Sequence, residues 1–517
     1  MSQKIQIIVS PEVSCKNDLL TAAVAKEIGI SANRISGIRI EKKSIDARKP
    51  PIKVNLTVEA FCDGEMPHDE QCEFRYDNVS VKKPVLIVGA GPAGLFAALR
   101  LIELGLKPVI LERGKDVSSR KVDIAQLCRN NGLNTDSNYC FGEGGAGTFS
   151  DGKLFSRSKK RGNFQRIFQI FHQHGASDTI LYEAHPHIGS DKLPLIIKNI
   201  RQTILDCGGE IHFGERVEEL IVENNCIKGA KTANGEWRAD AVILATGHSA
   251  RDIYEMLHRN NIALECKGFA MGIRVEHPQA LIDSIQYKRK ERGEYLPAAA
   301  YSLVAQSNGR GVYSFCMCPG GMIVPASTGA DEIVVNGMSN SQRCSPYANS
   351  GIVVEIRPED LGEFSQYGVL AGLKFQQHTE HLSFLNGAGG VKAPAQRLAD
   401  FVNGRLSAGL QECSYLPGLV SSPVHFWLPE MIADRLRDGF RQFDKKMHGF
   451  VTNEALVVGV ESRSSSPIRI PRNADTLQHT QISGLFPCGE GAGYAGGITS
   501  SAIDGENCAE MAAEMVK

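Results

Sequence analysis

The 517-residue sequence has no apolar stretch approaching the roughly 18 residues of a membrane-spanning helix, so a transmembrane helical protein is excluded. It also has almost no net charge. Its 57 lysines and arginines face 58 aspartates and glutamates, for a formal charge of -1. No global field draws it to nucleic acid or to an anionic membrane, and neither is expected as a partner. The longest basic run, Arg157-Ser158-Lys159-Lys160-Arg161, is short and reads as a solvated loop or a small phosphate patch. No signal peptide opens the chain, and the 14 cysteines are scattered. Reduced thiols in a cytoplasmic protein are therefore expected, rather than a disulfide framework. About three domains should form at this length.

The strongest positive signal begins at Val85-Leu86-Ile87-Val88, four apolar residues that suit a buried strand. Gly89, Gly91 and Gly94 follow at G-x-G-x-x-G spacing, with Pro92 and Ala93 opening an apolar helical run to Leu104. A second strand, Pro108-Val109-Ile110-Leu111, ends in Glu112-Arg113. In such a βαβ unit Gly89 allows the tight turn, Gly91 lets the backbone approach a pyrophosphate, and Gly94 lets helix and strand pack closely. The helix N-terminus attracts the phosphates, and Glu112 can accept both hydroxyls of an adenosine ribose.

Residues 1–82 form a separate small α+β unit, with strands at 4–9, 35–40 and 52–58 and a helix over 18–28. Its Asp46-Ala47-Arg48-Lys49-Pro50-Pro51 stretch is a loop, or a positioned Asp46/Arg48 pair on a partner surface. After Glu112 comes a glycine-rich segment, 141–152, in which Gly145, Gly147 and Thr148 would present backbone to a flat ligand. Glu210-Ile211-His212-Phe213 and two later strands, the first starting at Val217, suggest a small sheet. Ala245-Thr246-Gly247 ends another buried strand. From 265 to 450 the texture is β-rich and reads as an inserted domain shaping a substrate pocket. The chain then returns to the nucleotide fold (83–264 with 451–517) through a strand ending in Gly489-Glu490, then Gly497-Ile498 and a terminal helix.

Taken together, these three glycine-bearing pieces resemble the two-dinucleotide-binding-domain (glutathione-reductase-like) flavoproteins. In that superfamily matching segments hold one FAD; here Glu490 replaces the usual aspartate at the ribityl chain. More narrowly, Lys43–Arg48, Phe315–Gly321, Glu461–Pro467 and Glu490–Gly497 resemble the bacterial FAD-dependent dehydrogenase family of largely uncharacterised function. The resemblance implies an α/β protein: a Rossmann-like FAD-binding domain, an inserted α+β substrate domain and the small N-terminal α+β domain. The cofactor residues would be Gly89, Gly91, Pro92, Ala93, Gly94, Glu112, Arg113, Gly145, Gly147, Thr148, Val217, Ala245, Thr246, Gly247, Gly489, Glu490, Gly497 and Ile498.

Only one complete fingerprint is present and no C-x-x-C, so a nicotinamide such as NADPH would dock only transiently. His187 is the leading acid/base candidate, because both its forms are accessible near neutral pH, unless it caps the next helix. Arg463 could clamp a substrate carboxylate or bond backbone carbonyls. Cys316 and Cys318, two apart on a strand, would share a face and line the flavin pocket, do redox or metal work, or serve merely as small residues. His248 could sit behind the flavin. The expected activity is hydride transfer between a small organic molecule and flavin N5. The alternatives are a flavin-dependent monooxygenase and a non-catalytic FAD-binding accessory protein.

Overall fold

The computed structural model describes residues 2–64, 73–129, 132–155 and 162–517; the basic run at 157–161 lies outside them. The site is organised by a five-stranded parallel sheet in the order Leu485–Pro487, Val242–Leu244, Pro84–Val88, Lys107–Glu112, Glu210–Phe213. Its central strand is apolar on both faces because both are covered. Val85 and Ile87 enter a core built with the helices Pro92–Glu103 and Ile498–Val516. Leu86 and Val88 enter a second core with the helix Arg251–Arg259. All four are at most 4% exposed, and each such burial contributes about 2 kcal/mol.

Glu210–Phe213 belongs to this parallel sheet and not to the small sheet expected for it. The helix Leu193–Asp206 is the crossover that brings it alongside Val109–Glu112. The small antiparallel sheet is instead Val217–Glu223, Cys226–Thr232 and Gly235–Arg238. Its first turn places Asn224 and Asn225 at φ 51° and 59°, the two left-handed residues of a type I′ hairpin.

A second sheet of seven strands has Tyr347–Ile356 and Phe269–Pro278 near its centre and Arg310–Cys318 beside them. The helix Glu430–Lys446 covers it through Ile432, Leu436, Phe440 and Phe443, none exposed. The strand Leu456–Glu461 still pairs within this sheet, past the expected return to the nucleotide fold at 451. Every residue of that strand is buried, so it needs the covered centre of the larger sheet.

The N-terminal unit has three antiparallel strands, Ser2–Val9, Lys53–Cys62 and Ile35–Asp46. Val54, Leu56, Val58 and Ala60 alternate inward against Leu20 and Val24 of the helix Asn17–Ile28. Asp46 and Arg48 form a bidentate pair at 2.7–2.9 Å, with the Arg48 side chain 87% exposed. No helix among the described residues is long and apolar enough to cross a membrane.

Candidate functional site

The G-x-G-x-x-G turn fits because its glycines meet backbone. A Cβ on Gly89, at φ 105°, would lie 2.8 Å from the Ala245 carbonyl oxygen, and one on Gly94 would lie 1.9 Å from the Gly89 oxygen. Two segments 156 residues apart therefore interlock through missing side chains. Gly91, Gly247, Gly496 and Gly497 differ: a Cβ on any of them would meet nothing closer than 3.9 Å, and all four line one cleft of about 890 Å³. Their open sides are where a cofactor backbone can approach.

The cleft is also lined by Pro92, Ala93, Glu112, Arg113, Gly145, Gly147, Val217, Ala245, Thr246, Glu490 and Ile498, so most of the expected cofactor residues meet on one surface. Gly94, Thr148 and Gly489 do not line it. Gly94 joins helix to strand. The Thr148 hydroxyl donates to the Glu143 carbonyl (3.0 Å), and the Gly489 amide donates to buried Asp504 (2.7 Å), so both shape loops from behind. Asp504 is held in turn by Arg472 (2.6 and 3.0 Å). Cys488, Asp504 and Cys508 place three metal-type ligand atoms within 4.8 Å of one another, but the Arg472 guanidinium already supplies the cation there.

Glu112 has more to do than the expected ribose contact. Its carboxylate, 5% exposed, accepts the amides of Ala90 (2.8 Å), Gly114 (2.9 Å) and Gly142 (3.0 Å). It thereby ties the first glycine turn to the second glycine-rich loop. Arg113 is spread over the Phe141 ring (4.2 Å) and paired with Asp136 and Asp252 (2.9 Å each).

At the other end, Glu490 lies 3.3 Å from His248 Nδ1, so the residue in place of the usual aspartate is paired across the cleft with the residue following Ala245-Thr246-Gly247. The terminal helix starts here, and its Thr499 hydroxyl donates to the Leu154 carbonyl (2.8 Å). That contact places Lys153 on the cleft wall beside the start of this helix. Lys153 donates to the Met317 carbonyl and reaches Cys318 Sγ at 3.8 Å. Asp151 faces Arg343 (2.6 Å); against the burial that would raise it, Lys153 and Arg343 hold its carboxyl at about 2.

The catalytic expectations need correction at two positions. His187 does not line the cleft: its Nε2 faces the Ser341 carbonyl (3.1 Å), and burial, reinforced by Arg343, lowers its pKa. A bridge pairs Lys153 with His187, and His185, not His187, ends up on the cleft wall. Arg463 reaches the wall, but its guanidinium is committed to Glu332 (2.6 Å), Glu380 (3.1 and 3.2 Å) and Thr328 (2.8 Å). With its charge matched inside the protein, it is not an open clamp. Cys316 and Cys318 both line the cleft. A bulge separates them from regular pairing, and Cys316 is left-handed at φ 46°, so it is exposed while Cys318 is 1% exposed. Arg274 Nη2 approaches the Cys318 sulfur at 3.5 Å. The cysteines among the described residues are all free thiols.

A doubly covered parallel sheet with this glycine cradle defines a dinucleotide-binding flavoprotein. Its cofactor is FAD: residues 82–128 match the FAD binding domain, and residues 268–464 match the family described as FAD-dependent protein, C-terminal domain-like. Residues 1–61 match a domain of unknown function. The chain belongs to the same family as an uncharacterized protein of Clostridium beijerinckii, 40% identical over 513 residues and covering 95% of each chain. It is also similar to thiamine thiazole synthase of Aeropyrum pernix, 26% identical over 189 residues, 33% of this chain and 56% of that one. Among solved structures it is similar to glycine oxidase from Bacillus cereus, with 14% identity, 86% and 96% coverage and a TM-score of 0.30. A geranylgeranyl bacteriochlorophyll reductase-like protein from Thermoplasma acidophilum is similar at 13% identity, 84% and 79% coverage and a TM-score of 0.33.

Proposed function

We propose that this protein is a cytoplasmic FAD-dependent oxidoreductase of the two-dinucleotide-binding-domain class, acting on a small or medium organic substrate. The observation that carries this reading is the extent of the cleft. It continues beyond the cofactor cradle onto the larger sheet, where Tyr313 and Cys316, with Lys153 and Arg343 from loops beside it, form a wall that the cradle does not need. When bound, FAD supplies the hydride-exchanging centre, flavin N5. The protein's part is to hold and orient. The paired His248 and Glu490 face the ribityl region. Asp151 fixes Arg343, and Lys153, 35% exposed, offers its remaining protons to an electron-rich group of the substrate. Any NAD(P)H would dock transiently on the same wall.

The test is anaerobic bleaching of the bound flavin at about 450 nm with fractionated cell metabolites and with NADPH. Bleaching by a fraction supports the reading. A flavin that neither metabolite fractions nor nicotinamides reduce overturns it in favour of a non-catalytic FAD-binding role.

A further inference from the structure

We propose that Arg120 is the positioning residue for the FAD diphosphate, acting through the loop at residues 138–148 rather than by touching the cofactor. Arg120 and Arg274 are the largest side chains with no exposure among the described residues. Its Nε donates to the Asn138 carbonyl (2.7 Å) and its Nη2 to Tyr139 (2.9 Å). Its Nη1 meets the carbonyls of Glu143 (2.8 Å), Gly145 (2.9 Å) and Gly142 (3.3 Å). Five carbonyls of one short loop thus converge on one planar fork, a task matched to guanidinium and not to ammonium. The Phe149 ring covers the group at 5.1 Å.

The consequence for the cofactor follows from peptide geometry. In a trans peptide the N–H of one residue points opposite the C=O of the residue before it. With the Gly145 carbonyl turned to Arg120, the Ala146 amide is turned the other way, and Gly145, Ala146 and Gly147 line the cleft opposite Gly91. The left-handed glycines at 142, 144 and 145 allow this reversal. Such a loop is an anion-binding nest. Gly142 is required twice, because a Cβ there would lie 2.5 Å from Arg120 Cδ.

Charge points the same way. No carboxylate among the described residues pairs with Arg120. Glu112, whose three amide partners leave its negative charge in place, and Glu143, whose Oε2 accepts from Val117 and Arg201 (2.7 and 2.9 Å), act on Arg120 through space without bonding to it. Burial lowers the guanidinium pKa to about 10, so it stays cationic at neutral pH. The Glu112 and Glu143 carboxylates offset part of that burial, and a diphosphate bound on the far side of the loop would add to the counter-charge.

The test compares FAD with riboflavin, which lacks the diphosphate, in titrations of the apoprotein followed by flavin fluorescence. In Arg120→Gln the FAD dissociation constant should rise about 10- to 100-fold while that for riboflavin stays nearly constant. In Arg120→Lys, which keeps the charge but loses the fork, the preference for FAD should fall by a smaller factor; this variant decides the matter should the glutamine variant not fold. Equal weakening of both ligands would reduce Arg120 to general scaffolding, and an unchanged preference would remove it altogether. Both ratios are binding measurements, so failure of the proposed redox activity leaves them intact.

Discussion

Replacing Glu112 with glutamine separates two roles that the fingerprint alone merges. The carboxylate accepts three backbone amides, one through Oε2 and two through Oε1. Glutamine has the same shape but only one acceptor oxygen. Its best orientation keeps that oxygen on Gly114 and Gly142 and turns its NH₂ against the Ala90 amide. One charge-assisted bond is lost, a buried donor is left unpaired, and the other two bonds weaken to neutral ones. At about 1.5–3 kcal/mol for a bond to a charged group, the loop junction should lose about 3 kcal/mol. Hydrogen exchange of the apoprotein reads this locally: peptides containing Ala90 and Gly142 should exchange about 100-fold faster in Glu112→Gln, with strands of the larger sheet unchanged. FAD affinity should fall as well, since both loops border the cleft. Normal exchange at Ala90 and Gly142 with weakened FAD binding would mean that Glu112 acts on the ribose alone, and the clamp would be refuted.

His277 is fully buried, donates through Nε2 to the Phe450 carbonyl (2.8 Å), and is lowered by that burial from 6.5 to about 4. The unfolded chain takes the proton near pH 6.5 and the folded one only near 4. Its stabilisation is therefore complete above pH 6.5 and lost, by about 3 kcal/mol, as pH falls to 4; urea titrations of His277→Gln should lack that slope, and parallel curves would contradict it. Glu380, unexposed, accepts from Arg251 (2.7 Å), Arg463 and Ser462 (2.5 Å), so Glu380→Gln leaves two buried guanidinium groups short of charge and should cost about 3–5 kcal/mol in calorimetry. An unchanged melting temperature would show that the cluster is not balanced as drawn. Desolvation in the cleft pushes the Cys316 thiol up to about 12, so iodoacetamide should label it only slowly in the apoprotein even at alkaline pH, and more slowly still with FAD bound, while Cys318 stays unlabelled in both; equal labelling of Cys316 with and without FAD would remove it from the cofactor wall.

What was legible in the sequence is what local backbone geometry dictates. Gly89, Gly91 and Gly94 are constrained by a turn, a ligand face and a helix crossing within six residues, so their spacing alone announces the cradle. Ala245-Thr246-Gly247 and Glu490 were legible because each ends a short apolar strand, and strand ends of a parallel sheet converge on one edge. Residues whose role depends on a distant partner were not. Arg463 reads as an open clamp until Glu380, 83 residues earlier, folds against it. His187 and His185 differ by a register set by Lys153, which no periodicity within 185–187 reveals. A single bulge residue at φ 46° breaks the period-two rule on which the Cys316/Cys318 pairing rested. Arg120 is the extreme case. It is hidden because all its partners but one are main-chain carbonyls, which carry no side-chain identity and so leave no motif. A buried arginine that grips backbone can be seen only once the loop's carbonyls have been turned inward. For that reason the loop's glycines were readable from the sequence while the residue that aims them was not.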